Sequence, residues 1–122
     1  MQVEVLENMM KMQQQVKMLH WQTTSYSQHQ AFGGVYDALD DLIDKFVEVC
    51  MGKHGRPRLT NGVLNIEIID IDEMSIDDYV ISCVDFLVSL NDVYESTDSD
   101  LLNIRDEMMA EFNKLKYLLT LK

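Results

Sequence analysis

Apolar residues that recur every three or four positions are the feature that most constrains how this chain can fold. They do so in four stretches, 3–22, about 28–51, 75–94 and 100–119. This spacing places the apolar side chains on one face of a helix, and each such face needs a partner to cover it. Only one proline and five glycines interrupt the chain, so long helices are favoured. The pattern predicts a single all-α domain, an up-down four-helix bundle with one long crossover connection between helices two and three.

The expected helix starts carry residues whose side chains accept hydrogen bonds from backbone N–H groups. Ser25 or Ser27 is the expected N-cap of helix two, Ser75 that of helix three, and Ser99 or Asp100 that of helix four. The side chains expected to face the core are Val5, Leu6, Met9, Met12, Val16 and Leu19 in helix one, Phe32, Val35, Leu39, Leu42, Ile43, Phe46, Val49 and Cys50 in helix two, Ile76, Tyr79, Val80, Cys83, Val84, Leu87, Leu90 and Tyr94 in helix three, and Leu101, Ile104, Met108, Phe112, Leu115 and Leu119 in helix four.

The connection between helices two and three, residues 52–73, is the longest stretch without helical spacing. Gly52, Gly55 and Pro57 are expected to end helix two. Residues 63–71 partly alternate and are rich in isoleucine, so they are expected to form an extended strip over the bundle. Because a lone strand cannot satisfy its backbone groups, the strip must pair with a symmetry mate or be covered.

Histidines and carboxylates share one ribbon of helix two, beside its apolar face. The ribbon consists of His29, Gly33, Asp37, Asp40, Asp44 and Glu48, and His20 lies inside the apolar arc of helix one. Imidazoles and carboxylates that converge from helices are the ligands by which helical bundles hold iron or similar divalent ions. Taken singly, His20 fits a hydrogen-bonded core histidine, and the carboxylates fit a solvated face. Their coincidence on one ribbon, with no arginine in either helix to neutralise them, favours a cation.

Two glycines, Gly33 and Gly34, lie in the middle of predicted helix two. Each costs roughly 1 kcal/mol in a helix relative to alanine, so another group is expected to approach closely there.

The acidic run that begins at Asp70 fits no calcium loop, because Ser75 stands where such a loop needs glycine and Ile81 where it needs glutamate.

Composition excludes several classes of function. The net charge of −11 leaves no surplus of Lys and Arg to neutralise phosphates, so no nucleic-acid partner is expected. No apolar run is long enough for a membrane span, and residues 1–15 do not read as a signal peptide, so a cytoplasmic protein without a membrane partner is expected. Cys50 and Cys83 fall on apolar helical faces and are expected to be buried free thiols.

The order His20-Trp21, His29, Asp44 and Glu48 resembles the ferroxidase signature of the Dps family, the mini-ferritins of the ferritin-like superfamily. The tail 97–122 is similar to the last helix of that family. The string HWQT…H…D…E resembles more closely still an uncharacterised ferritin-like family found in viruses and bacteria.

This resemblance implies an iron site between two subunits related by a twofold axis. His20 and His29 would come from one subunit, and Asp44 and Glu48 from the other. The family's intervening aspartate is replaced here by Gly33, and Asp37, one turn further on, is our candidate substitute. The loop between the histidines is also about three residues shorter. The implied metal residues are therefore His20, His29, Asp37, Asp44 and Glu48, with no catalytic residue apart from them.

The resemblance implies Fe(II)/Fe(III), or another divalent metal, as the bound ion and a twofold dimer or cage as the assembly. Because helices three and four contain no histidine, the Glu-x-x-His pattern of a site within one bundle is absent, and the site is expected between subunits. Three functions stay open: a ferroxidase that stores iron, a silent structural or interaction protein with a vestigial site, and an acidic module that binds metal without turnover. A viral structural protein would have other structural proteins as partners and the virion as its location.

Overall fold

The computed structural model describes all residues, 1–122, and contains helices but no strand. The α-helices are α1 (Val3–Gln22), α2 (Tyr26–His54), α3 (Ile76–Ser89) and α4 (Ser99–Leu118). Short 3-10 turns cover Thr60–Gly62, Ile71–Glu73, Leu90–Asp92 and Ser96–Asp98. The predicted all-α class and the number of helices are confirmed.

The start of α2 is set by a side-chain cap. The Oγ of Ser25 accepts a hydrogen bond from the N–H of Gln28, so Ser25 rather than Ser27 is the N-cap, and α2 begins two residues before the predicted start. Ser75 caps α3 in the same way, as predicted.

The predicted end of helix two and the predicted start of helix four are also wrong. Gly52 lies inside α2, and Gly55 ends the helix with a φ of 87°, a conformation that glycine adopts without strain. One glycine inside a long helix costs too little to break it. Helix α4 begins at Ser99 with Asp98 in the N-cap position, one residue before the predicted candidates. A 3-10 turn over Ser96–Asp98 leads directly into that helix, so the cap moves back along the chain.

Contacts at the helix ends define how the helices run. The three-residue connection 23–25 makes α1 and α2 antiparallel neighbours. Ser27, at the start of α2, donates a hydrogen bond to the backbone carbonyl of Leu121, just beyond α4. Lys53, at the end of α2, forms an ion pair with Asp100 in the first turn of α4. Helix α2 is therefore antiparallel to both α1 and α4, and α3 packs against α4.

One apolar core lies between the four helices. Its largest fully buried side chains include Phe32, Phe46 and Phe112. Cys50 and Cys83 are buried free thiols, as predicted. Burial raises the pKa of the Cys83 thiol to about 12, so it stays protonated and unreactive near neutral pH. Most predicted core positions are buried, whereas those at the rim of the core are only half-buried: Leu6, Leu42, Val49, Ile76, Tyr79, Val84 and Leu119.

The crossover between α2 and α3 has extended backbone angles at Val63 and Asp70, at the two ends of the predicted strip. Residues 63–70 are neither helical nor part of a ladder. The side-chain amide of Gln15 in α1 donates to the carbonyl of Ile69 and accepts from its N–H, both at 2.9 Å. The side-chain amide of Gln22 donates to the carboxylate of Asp70 and accepts from the N–H of Ile71. These two glutamines hold the end of the crossover against α1.

None of the helices combines the length and the apolar character that crossing a lipid bilayer requires.

Candidate functional site

His20 and His29 form a reciprocal pair across the α1–α2 connection. The Nδ1 of His20 lies 2.7 Å from the carbonyl oxygen of His29, and the Nδ1 of His29 lies 2.8 Å from the carbonyl oxygen of His20. The two rings are stacked, with centroids 3.9 Å apart and planes inclined by 16°. The sequence placed both residues near the connection, but it did not indicate that each would bond the other's backbone.

These bonds determine the tautomer of both rings. A carbonyl oxygen can only accept a hydrogen bond, so each Nδ1 carries the proton and donates it. The Nε2 of each neutral ring then keeps a lone pair, and neither Nε2 has a hydrogen-bond partner in the chain. Metal-binding histidines usually have this arrangement, in which one ring nitrogen donates to a carbonyl and the other is free to bind the ion.

The pair also has a purely structural effect. The last four carbonyls of a helix have no partner within it, and that of His20 belongs to this group in α1. Its hydrogen bond from His29 satisfies one of these carbonyls. The two hydrogen bonds of the histidine pair therefore hold the end of α1 against the first turns of α2, whether or not an ion binds.

Gly33 makes room for the ring of His20. A Cβ at residue 33 would lie 3.0 Å from Cε1 and 3.1 Å from Nδ1 of His20, closer than ordinary van der Waals contact. At Gly34 a Cβ would meet nothing within 4 Å. The expected close approach is therefore present at Gly33 and absent at Gly34. Any other residue at position 33 would therefore need the ring of His20 to shift by a few tenths of an ångström.

The predicted carboxylate ligands lie on α2 but do not join the histidines within one chain. Asp37, Asp44 and Glu48 are exposed, and none forms an ion pair. Asp40 instead accepts a hydrogen bond of 2.8 Å from the amide of Gln13, which is almost fully buried. No cluster of three or more His, Cys, Asp or Glu side chains in the chain could hold a metal ion.

These donors fit an ion only in part. The histidine pair offers two nitrogen ligands with the correct tautomer, and iron and similar ions need further ligands. The exposed carboxylates of α2 are available to another molecule and not to the histidines of their own chain. The predicted position of the site between subunits is consistent with this geometry and stays a prediction.

Tyr26 lies beside the histidine pair, with its ring centroid 6.4 Å from that of His29. Trp21 is 65% exposed and Tyr26 is 77% exposed. The ammonium group of Lys17 lies 5.2 Å from the ring centroid of Trp21 and 4.5 Å from that of Tyr36. Through these cation–π contacts Lys17 of α1 joins Trp21 of its own helix to Tyr36 of α2. Large exposed aromatic residues are enriched at protein interfaces.

A second polar cluster lies at the opposite end of the bundle. The Asp98 carboxylate accepts a hydrogen bond of 2.9 Å from Nε2 of His54 and lies 3.1 Å from Nζ of Lys53. The hydrogen bond from His54, reinforced by Lys53, holds the pKa of Asp98 below its usual value. Asp100, at 2.6 Å from Lys53, raises the pKa of that lysine. The sequence did not predict the pair of His54 and Asp98, because it forms across 44 residues.

Comparison with known proteins adds a family and one relative. The model of a family described as "Family of unknown function (DUF5856)" matches residues 20–119. A protein of Enterobacteria phage T4, described as "Uncharacterized 14.6 kDa protein in mobD-ri intergenic region", is 28% identical over 103 residues, which cover 84% of this chain and 75% of the relative. No solved structure matches the chain.

Proposed function

The chain belongs to DUF5856, a family of unknown function, and we propose that it binds Fe(II), or a similar divalent ion, at a site shared by two copies. The observation that carries this proposal is the reciprocal histidine pair. His20 and His29 are fixed by two backbone carbonyls, and both Nε2 atoms are left without a partner. An imidazole with one ring nitrogen held by a carbonyl and the other free is a typical ligand of first-row transition ions.

The remaining ligands would come from α2 of the second copy. Asp44 and Glu48 are four residues apart, so their carboxylates lie over the same turn of the helix. Asp37, two turns before Asp44, is the third candidate. All three are exposed and without a cation partner in their own chain. A twofold axis along this face would bring the carboxylates of each copy to the histidines of the other and form two equal sites.

The arrangement of the helices supports a ferritin-like fold for this proposal. Antiparallel α1 and α2, a long crossover, and α4 antiparallel to α2 correspond to the one-crossover bundle of ferritin-like proteins. In a Dps-like protein, Fe(II) is the substrate, and each ion loses one electron to an external oxidant such as hydrogen peroxide. The carboxylates would offset the additional positive charge of the Fe(III) product.

A silent structural or interaction protein is the second candidate, and two observations favour it. The histidine pair already closes α1 onto α2 without any ion, and the phage T4 relative agrees with a viral role. In that case the exposed Trp21 and Tyr26 would contact other structural proteins.

Replacement of each histidine by asparagine separates these candidates. Asparagine places an N–H donor close to the position of Nδ1 and has no equivalent of Nε2. His20→Asn and His29→Asn should therefore keep the hydrogen bond to the backbone carbonyl and lose the metal ligand. We expect wild-type protein incubated with Fe(II) to bind the ion stoichiometrically, with an anomalous diffraction signal beside His20, and each asparagine variant to lose it.

The carboxylate side of the site is tested with a matched pair. Asp44→Ala should remove iron binding, whereas Asp85→Ala, a change of the same charge at an exposed position of α3, should preserve it. The native mass of the same samples reports the assembly. If the protein binds no iron, or binds it equally well after His20→Asn, the proposed metal site is wrong. The structural or interaction protein is then the candidate that remains. Iron bound without oxidation when peroxide is added would indicate a metal-binding module.

A further inference from the structure

The crossover segment 63–69 has a free backbone edge. No N–H or carbonyl group of residues 64–68 forms a hydrogen bond within the chain, whereas both backbone groups of Ile69 bond to Gln15. In an extended segment, the N–H and carbonyl of one residue point to the same edge, and successive residues alternate between edges. The groups of Asn65 and Glu67 therefore share the edge of Ile69, towards α1, and those of Leu64, Ile66 and Ile68 point away from it.

The side chains of the segment also lack sufficient cover. Leu64, Ile66 and Ile68 are half-buried, in alternation with four exposed residues, Val63, Asn65, Glu67 and Ile69. Val63 is 55% exposed. The partly buried apolar side chains that pack against the core include Ile71 and Met74, after this segment, but none of residues 63–69. An exposed, apolar strand edge is a template for pairing with another strand.

We infer that residues 63–69 pair with the same residues of a second copy, antiparallel about Ile66. In this register Ile66 faces Ile66 and Leu64 faces Ile68, and these are the residues whose backbone groups point to the free edge. Each facing pair would exchange two hydrogen bonds, about six in all. A twofold axis through Ile66 makes the contact closed and self-complementary.

The polar side chains favour the antiparallel register. Glu67 of one copy faces Asn65 of the other, so an amide can donate to a carboxylate. The parallel register would place Glu67 opposite Glu67 and cost free energy through repulsion. Val63 faces Ile69, so the exposed apolar side chains also cover each other.

This contact is separate from the proposed metal site. The crossover follows the side of α1 that carries Gln15 and Gln22, whereas Gln13 and His20 face α2. The pairing therefore requires no ion and is tested on the full chain without metal. A finding that the protein binds no iron would therefore not count against the pairing of residues 63–69.

Proline substitutions test the edge. Proline removes a backbone N–H and is tolerated in a strand only where that N–H is not needed. Ile66→Pro removes the N–H at the centre of the pairing, and Asn65→Pro removes one that points to the other edge. We expect sedimentation velocity to show a dimer for wild-type protein and Asn65→Pro, and a monomer for Ile66→Pro. A dimer that persists in Ile66→Pro would overturn the proposal, as would a wild-type protein that stays monomeric at millimolar concentration.

Charge substitutions test the register. Asn65→Lys should place an ammonium group opposite Glu67 at two equivalent positions, and Asn65→Glu should place a second carboxylate there. We expect the dimer dissociation constant to fall roughly threefold to tenfold with lysine and to rise similarly with glutamate. Thr60→Lys and Thr60→Glu repeat these changes of net charge at an exposed residue outside the segment and should have less effect. Equal effects at residues 60 and 65 would overturn the register. Hydrogen exchange at residues 64, 66 and 68 of wild type and of both Asn65 variants provides a second measurement. These amides should be protected in the dimer and exchange freely in the monomer.

Discussion

The imidazole of His20 lies so close to Gly33 that any other residue there would bring its Cβ into tight contact with the ring. The closest ring atom would be 3.0 Å from that Cβ. Because the same ring donates to the carbonyl of His29 at 2.7 Å, it cannot move away without lengthening that hydrogen bond. The lack of a side chain at Gly33, the position of the His20 ring and its hydrogen bond to His29 therefore depend on one another.

Gly33→Ala and Gly34→Ala form a matched pair that tests this dependence. Both replace a helical glycine by alanine, which by itself stabilises a helix by up to about 1 kcal/mol. At Gly34 nothing opposes the gain, so we expect the free energy of unfolding in urea to rise. At Gly33 the displaced His20 ring should cancel most or all of the gain. Equal stabilisation of the two variants would show that the ring accommodates a methyl group without strain.

Arg105 is a buried cation that joins α3 to α4. It is 6% exposed, and its guanidinium donates to the carbonyl of Leu87 at 2.7 Å and to the side chain of Asn91 at 2.9 Å. Arg105→Leu should lower the free energy of unfolding by about 1–3 kcal/mol, because it removes the charged hydrogen bonds to the carbonyl of Leu87 and the side chain of Asn91. Arg105→Lys should recover only part of this loss, because an ammonium group cannot reproduce the two-sided guanidinium contact. Urea denaturation of the three proteins measures both effects, and a fully stable leucine variant would contradict this role.

The helices were predictable because helical burial is a local property of the sequence. In α1, the spacing alone identified Val5, Met9, Met12, Val16 and Leu19 as core residues, and all five are buried. Helix ends were less predictable, since they depend on competition between weak signals. Gly52 and Gly55 look alike in sequence, and only the backbone conformation of Gly55 distinguishes the residue that ends α2.

The candidate site was predictable in its composition and not in its connections. Helical spacing placed His29 and the carboxylates of α2 on one ribbon, but the reciprocal bonds between His20 and His29 depend on the exact path of a three-residue connection. The burial of Arg105 could not be read from its neighbours, because its partners lie at the end of another helix. Asp98 was missed for the same reason.

Asp98 should make the stability of the protein depend on pH at acidic values. Its pKa in the folded state is lowered by the hydrogen bond from His54 and by Lys53. Its contribution is therefore complete above the unfolded pKa of about 3.9 and is lost as the pH falls through the lower, folded value. Asp98→Asn should destabilise the protein at pH 5–7 and have progressively less effect at lower pH. Thermal unfolding from pH 2 to 7 measures this difference. Asp85→Asn, at an exposed position of α3 without an ion pair, is the control. A difference between wild type and Asp98→Asn that grows as the pH falls would contradict the sign of the pKa shift.

Gln15 should control how firmly the crossover is held on α1. Its side chain is 2% exposed and forms both hydrogen bonds to the backbone of Ile69. Gln15→Ala removes both bonds and leaves the N–H and carbonyl of Ile69 without a partner in the chain. We expect faster amide exchange at Ile69 and its neighbours, because the extended segment can then leave α1 without unfolding of the helices. Gln14→Ala changes an exposed glutamine next to it and should leave exchange unaltered. Unchanged protection at Ile69 in Gln15→Ala would mean that packing of Ile71 and Met74 against the core holds the crossover without the glutamine.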